Sequence, residues 1–406
     1  MTLPPDPQSL DAADPLAGFR DAFVREHRTI YLCGNSLGPL PVATRERMGK
    51  VVAGEWGQGL VRGWNTHDWI GAPRRVGDRL AGMIGADPGE VIVADSTSAN
   101  VFKLAAAACQ ARPGRKVVLS ERGDFPTDLY MLEGVVRTLG DGRRLELRSA
   151  GEVEAALTED VAVLVLCHVH YKTAAVRDMA RLTAAAQAVG ALVIWDLSHS
   201  AGIIEVDLNG CGADLAVGCG YKYLNGGPGA PAFLFVAQRH QDSLVSPLSG
   251  WMGHAAPFAF DDAYAPAPGI DRFACGTPPI LSLLALEGGV DLSATAGAAA
   301  IAAKARALGD LFIDRVGDAL DLISPREASA RGGHVAFRHP DAYAIVRALM
   351  ARGVIGDFRD PDVMRFGLSP LPLSFAEVAR AADLLVEVVS TRAYDHPTFR
   401  VRARVT

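Results

Sequence analysis

The feature that most limits what this chain can fold into is a series of short, almost wholly apolar runs spaced by helical patterns. The runs are 91–94 "VIVA", 116–119 "KVVL", 161–166 "VAVLVL", 191–195 "ALVIW", 214–218 "DLAVG" and 232–236 "AFLFV". Strands that are apolar on both sides, rather than alternating, belong to a largely parallel sheet covered on both faces. Stretches such as 98–111 "SANVFKLAAAACQA" and 177–189 "RDMARLTAAAQAV" supply the covering helices. The expected fold class is therefore α/β. Further on the pattern changes: helices over about 296–319, 341–352 and 374–391 surround two short strands, 334–338 "HVAFR" and 363–369 "VMRFGLS". That reads as a smaller α+β domain. The expected division is a large domain over 51–285 and a small one made of 1–50 and 286–406. Residues 1–50 show no strand run of their own.

Composition narrows the function classes. The net charge is −6, and the only basic cluster is the C-terminal "TFRVRARVT", which argues against nucleic acid or an anionic membrane as the main partner. No apolar run approaches the roughly 18–20 residues needed to span a bilayer. The N-terminal "MTLPPDPQSLDAADPLAGF" lacks the basic-then-apolar order of a signal peptide. The six cysteines are scattered, with no metal-type spacing, and read as buried free thiols in a reducing cytoplasm.

Chemistry collects at the carboxyl ends of strands in such sheets. The run 214–218 is followed by "CGYKYLNGGPG", which places Lys222 at a sheet mouth; only six lysines occur in the chain. The run 191–195 ends in "WDLSHSAG", with Asp196 and His199 in the following loop. After 91–94 comes "DSTSANVF", where Thr97 and Ser98 open a helix, and after 116–119 comes "SERGDFPTDLY", with Phe125 and Asp128. A lysine, an acid, a hydroxyl pair on a helix N-terminus and an aromatic suit pyridoxal 5'-phosphate (PLP). The lysine amine condenses with the cofactor aldehyde, and the acid keeps the pyridine nitrogen protonated. The helix N-terminus holds the phosphate, and Phe125 or His199 can lie against the ring. A Rossmann site is the competing phosphate reading, but no GxGxxG follows a first strand. Lys172, in "HVHYKTAAVRD", also follows a strand but lacks the Gly-rich turn.

With these residues placed, the chain resembles the kynureninase family, PLP enzymes of fold type I in the aminotransferase class V group. The resemblance runs from about residue 30 to the C-terminus. It is carried by "YLCGNSLGPLP", "EWGQGLVRGWN", "STSANVFK", "GDFPTDLY", "HVHYKTAAVRDM", "WDLSHSAG", "GCGYKYLNGGPG", "LSGWMGH", "RFACGTPPILSL", "RGVIGDFRDP" and "MRFGLSPL". It implies a mostly parallel, seven-stranded type of sheet plus the smaller domain. It also implies PLP-dependent hydrolysis of L-kynurenine to anthranilate and L-alanine, a step of tryptophan catabolism and NAD biosynthesis, by a cytoplasmic homodimer with active sites at the subunit interface. Lys222 matches the Schiff-base lysine and Asp196 the pyridinium partner. Thr97, Ser98, Phe125, Asp128, His199 and Tyr221 match the other cofactor contacts; Tyr221, beside the lysine, either exchanges protons during the reaction or is a structural phosphate ligand. Trp251 and Thr277 match contacts made across the interface. Arg365 matches the arginine that clamps the substrate carboxylate, and Asn35, Ser36 and Trp64 match substrate-pocket residues. Trp64 with Thr277 resembles the bacterial pattern that prefers kynurenine over its 3-hydroxy form.

Four positions depart from the family pattern: Cys33 stands for an acid, Cys167 for a Ser or Thr, Ala174 for a Gly and Pro372 for a Tyr. The alternatives are a cysteine desulfurase or selenocysteine lyase and a non-catalytic PLP-binding protein. The former needs a cysteine well beyond the lysine, and the chain has none after Cys275.

Overall fold

The computed structural model describes residues 6–26 and 28–403, so residues 1–5, 27 and 404–406 of the expected small domain lie outside the described residues. The first strand, β1 (Ile30–Tyr31), corrects the sequence reading of residues 1–50 as strandless. It follows no run of its own because it is only two residues long and gains its partner from the far end of the chain. The large sheet has seven strands: β2 (Val91–Val93), β3 (Val117–Glu121), β4 (Arg144–Arg148), β5 (Val161–Cys167), β6 (Leu192–Asp196), β7 (Leu215–Cys219) and β8 (Ala232–Val236). Their spatial order is β2-β8-β7-β6-β5-β3-β4. The pairings from β7 through β4 are all parallel, and β8 runs antiparallel to both neighbours.

Six of the seven strands fall on the apolar runs. The exception is β4, "RLELR", which sequence patterning misses because charges alternate along it. Its position explains them: β4 is the sheet edge, and charged side chains on an edge discourage pairing with another chain. Arg144 and Arg148 both pair with Glu146, and Arg144 also with Asp160. The strands between are buried on both faces. One apolar core joins the sheet to Ala72–Met83, Met179–Ala188 and Ile280–Ala296, and another joins it to Thr97–Gln110 and Pro126–Leu139.

The C-terminal part holds a separate core around a four-stranded antiparallel sheet. Its strands are β9 (Asp321–Leu322), β10 (His334–Arg338), β12 (Asp357–Arg359) and β13 (Val363–Gly367), in the order β12-β13-β10-β9; β11 (Val354–Ile355) pairs outside this sheet with β1. Helices Ala298–Val316, Ala342–Met350 and Phe375–Ser390 cover it. The last begins with a reciprocal cap in which Ser374 and Glu377 satisfy each other's backbone N–H groups. Sequence patterning finds β10 and β13 but not β9 or β12, which are short.

The N-terminal segment links the two cores. β1 pairs in parallel with β11, Cys33 bridges to Gly367, and Gly38 N–H donates to the Tyr221 carbonyl at 2.8 Å. Gly38 is needed for that approach: a Cβ there would meet the Lys222 carbonyl at 2.2 Å. Among the described residues no single helix is long and apolar enough to cross a membrane.

Candidate active site

Lys222 leaves the end of β7 in the turn before "NGGPG", where Asn225 and Gly227 take positive φ to bring the chain back. Its side chain is buried, and its Nζ lies 3.1 Å from His199 Nε2. The same amine stands 5.7 Å from the Phe125 ring centre and 5.6 Å from that of Tyr221. The other lysines of interest are committed elsewhere. Lys103 is fully buried against Asp95 (2.7 Å), Lys304 is buried against Asp14 (2.6 Å), and the Lys172 amine donates to the Asp360 carbonyl.

Asp196 ends β6 and is buried, with one oxygen accepting from Ser198 N–H at 2.8 Å. Asp128 faces it from the first turn of Pro126–Leu139. Burial, with Asp196 and Asp124 beside it, pushes the Asp128 carboxyl well above its ordinary range. Two carboxyl groups so placed do not readily ionise together, and Asp128 is the one held protonated. Cys167 Sγ sits 3.6 Å from Asp196 and 3.8 Å from Asp128, and burial pushes its thiol up, so it serves as a neutral filler between them. Burial and the Lys222 ammonium keep His199 neutral, and burial with Cys219 and Asp196 nearby raises the Tyr221 phenol.

Thr97 and Ser98 are the first two residues of a 14-residue helix whose cap is Ser96, accepting from Ala99 N–H. Neither hydroxyl is therefore spent on the cap.

The second half of the site comes from the small sheet and the N-terminal segment. Arg365, on β13, is buried; its Nε donates to Asp357 Oδ1 at 2.7 Å and its Nη2 to Asp357 Oδ2 at 2.5 Å. Nη2 also donates to Ser36 Oγ at 3.1 Å, and Nη1 donates to the Tyr171 carbonyl. The fork that sequence reasoning reserves for a substrate carboxylate is thus closed on Asp357, to which the Ser36 hydroxyl also donates, leaving one Nη1 hydrogen for a ligand. Burial alone would raise Asp357, and the Arg365 and Arg359 guanidiniums outweigh it, holding the carboxyl below its ordinary 3.8. Asp357 lies within the quoted "RGVIGDFRDP", eight residues before the arginine, but no role is assigned to it from sequence. The two halves meet through aromatic contact: the Tyr171 ring packs edge-on to Phe125 at 5.4 Å.

The structure brings Lys222, Tyr221, His199, Phe125, Asp128 and Asp196 together, and Arg365 with Ser36; Asn35 is buried beside Gly367. It does not join Trp64, Trp251 or Thr277 to them. Trp64 packs edge-on against Trp69 at 5.8 Å, and Trp251 is 40% exposed against Phe258. Thr277 lines a cavity of about 430 Å³ with Arg74, Asp95 and Met252.

The departures acquire locations. Cys33 abuts Asp357 at 3.8 Å, and Ala174 holds φ +62° where a glycine would be unstrained. Pro372 lines an apolar groove with Leu40 and Pro228. All six cysteines are free, as expected, but only four are buried, and Cys33 and Cys167 lie among carboxylates rather than apolar groups.

The kynureninase C-terminal domain family matches residues 301–385. Over 98% of both chains the sequence is 48% identical to "Kynureninase" of Burkholderia pseudomallei, strain K96243, and over the full length of both it is 47% identical to "Kynureninase" of Pseudomonas fluorescens. Among solved structures, the fold is similar to an apo cysteine desulfurase from Thermococcus onnurineus NA1, with a TM-score of 0.77 and 18% identity, covering 96% of this chain and 100% of that one. It is also similar to the cystine C–S lyase C-DES carrying glycine linked to its PLP cofactor, with a TM-score of 0.73 and 16% identity, covering 95% and 100%.

Proposed function

The chain belongs to the kynureninase family, and on that premise we propose that it hydrolyses the Cβ–Cγ bond of L-kynurenine, giving anthranilate and L-alanine with PLP as cofactor. The observation that carries the reading is the continuous wall from the Lys222 amine through Phe125 and Tyr171 to Arg365. It holds, in one place, what an α-amino acid substrate needs at its amine and its carboxylate. Incubation of the PLP-loaded protein with L-kynurenine tests it, with anthranilate fluorescence as the readout.

The residues fit the cofactor. Asp196 is a buried carboxyl group faced by Asp128, whose own carboxyl is held protonated, so it is placed to accept the N–H of a protonated ring nitrogen. Lys222 would bond the aldehyde, Thr97, Ser98 and their helix N-terminus would take the phosphate, and Phe125 and His199 would lie against the ring. When bound, PLP supplies an aldehyde that condenses with amines and a cationic ring that accepts electron density from the substrate's carbons. The chain's own groups do the rest. Lys222, once its amine is displaced, takes and returns the proton at the substrate Cα. Tyr221, held protonated, gives a proton toward Cβ. Arg365, with its plane fixed by Asp357, turns its remaining Nη1 hydrogen to the substrate carboxylate, and Ser36 joins it by rotating its hydroxyl away from Asp357. Arg365→Lys loses that fixed plane, and KM for L-kynurenine is expected to rise by roughly 10–100-fold with kcat changed less, as steady-state kinetics would show.

The finer features are proposals of the same kind. A large domain over 51–285 and a small one of 1–50 with 286–406 are supported by the separate apolar cores, with the difference that the helix Ile280–Ala296 crosses the boundary and packs on the large core, Leu286 and Val290 included. A homodimer is supported by exposed apolar side chains, among them Val61, Phe258 and Phe260, on the segments that hold Trp64 and Trp251. Trp251 and Thr277 would then act across the interface. Free cysteines support a reducing cytoplasm. Trp64 is proposed to set the preference for kynurenine over 3-hydroxykynurenine. Trp64→His is expected to move the ratio of kcat/KM values toward the hydroxylated substrate, in a direct comparison of the two.

A further inference from the structure

His334 opens β10 ahead of the apolar run Val335–Ala336–Phe337, and the fold buries it to 1% exposure. Alternate residues of a strand share a face, and cross-strand partners stand side by side. His334 pairs with Gly367 and Ala336 with Arg365, so the imidazole and the guanidinium project from one face of the sheet. At Gly367 the vacant side-chain position is taken by Asn35: a Cβ there would lie 2.2 Å from Asn35 Oδ1. Tyr223 and Ser369 stand against Gly34, the residue before Asn35, and Tyr223 also against Gly333, the residue before His334. His199 stands on the remaining side, its ring centre 5.5 Å from that of His334.

All of these side chains are buried, and each has polar atoms with no protein partner. They are both nitrogens of His334, both amide atoms of Asn35, the Tyr223 phenol, the Ser369 hydroxyl and His199 Nδ1. Burial, with Arg365 nearby, lowers His334 to about 3, so its ring is neutral and offers one donor and one acceptor. The Lys172 carbonyl faces that ring without completing a hydrogen bond. Leaving a buried polar group without a partner is costly, so these neighbouring unpartnered residues call for a ligand that both donates and accepts. Buried water meets that description, bonding about three otherwise unpaired polar groups at a time.

We propose that His334, Asn35, Tyr223 and Ser369 form a water site beside the Lys222–His199 pair, and that it supplies the water consumed in cleavage. The inference rests on the hydrolytic reading above. Arg365 stands at one side of the site and His199, in contact with Lys222, at the other. The site therefore lies beside the groups assigned to the substrate's α-carboxylate and α-amine, whose shared carbon is two bonds from the carbonyl carbon that the water attacks. In the net reaction the water oxygen bonds to the carbonyl carbon and the Cβ–Cγ bond breaks with its electron pair passing to Cβ. One water hydrogen completes the methyl group of alanine, and the O–H becomes part of the anthranilate carboxyl group.

The test compares two rates in the PLP-loaded enzyme in D2O: exchange of the substrate's Cα hydrogen, which needs no water addition, and anthranilate release, which does. In His334→Leu, anthranilate release is expected to fall about 100-fold, while Cα exchange and the equilibrium affinity for anthranilate stay within about twofold of wild type. His334→Gln, whose amide both donates and accepts, is expected to recover most of the loss; it also serves as the measured variant if the leucine substitution does not fold, with Tyr223→Phe giving the partial loss. Equal falls in exchange and release, a weakened anthranilate affinity, or unchanged release in His334→Leu would overturn the water site. Wild-type enzyme that forms no anthranilate at all would instead refute the hydrolytic reading itself.

Discussion

Lys222→Ala is expected to abolish turnover, lowering anthranilate formation by roughly 10⁴-fold or more, and to remove the visible absorbance of covalently held cofactor. The effect is large because one amine has two tasks, anchoring the cofactor and moving the Cα proton, and no neighbour can replace it. Lys103 and Lys304 are locked in buried ion pairs, and Lys172 reaches the Asp360 carbonyl instead. Alanine leaves Asp196, Asp128 and His199 in place, so the variant should still fold and bind PLP non-covalently. Its melting curve should stay close to wild type while its activity vanishes. Retained turnover together with retained visible absorbance would remove Lys222 from the chemistry.

The second large effect is on stability. Asp357→Ala takes away both acceptors of the Arg365 fork and strands a guanidinium that is 1% exposed. Removing one partner of a buried pair costs about 3–5 kcal/mol, because the remaining charge stays desolvated. A fall in melting temperature of roughly 5–10 °C is expected, with loss of substrate affinity in whatever folds. The pH dependence has a definite sign. The Asp357 carboxyl sits below its unfolded value of 3.8, so its contribution is complete above that value and fades as pH falls through the depressed one. The stability gap between wild type and Asp357→Ala should therefore narrow in acid, which denaturant titrations at two pH values would show.

What the sequence made legible was local. Each of Thr97, Ser98, Phe125, Asp128, Asp196, His199 and Lys222 sits within a few residues of an apolar run, so finding the strand end finds the residue. The strand β4 was hidden because an edge strand is charged for reasons opposite to those that make a central strand apolar. β1 and β11 were hidden because two-residue strands leave no pattern. Asp357 and His334 were hidden for a different reason: what matters about them is which groups they face across sheet pairings, which for Asp357 depends on the register of β12 on β13 and for His334 joins residues more than thirty positions apart. Arg365 was found by resemblance, but its engagement with Asp357 belongs to tertiary structure alone.

The N-terminal segment that carries Asn35 and Ser36 has a consequence for the order of biosynthesis. Cys33 and Ser36 meet Asp357 and Arg365 across sequence separations of 324 and 329 residues. On a ribosome those early residues are exposed long before their neighbours are translated, and the cost of closing so long a loop falls on the last contacts to form. The large sheet is complete once Val236 has emerged, but the carboxylate-binding end must wait for nearly the whole chain. A nascent chain can thus assemble the cofactor half early and remain unable to hold a substrate until translation is almost finished.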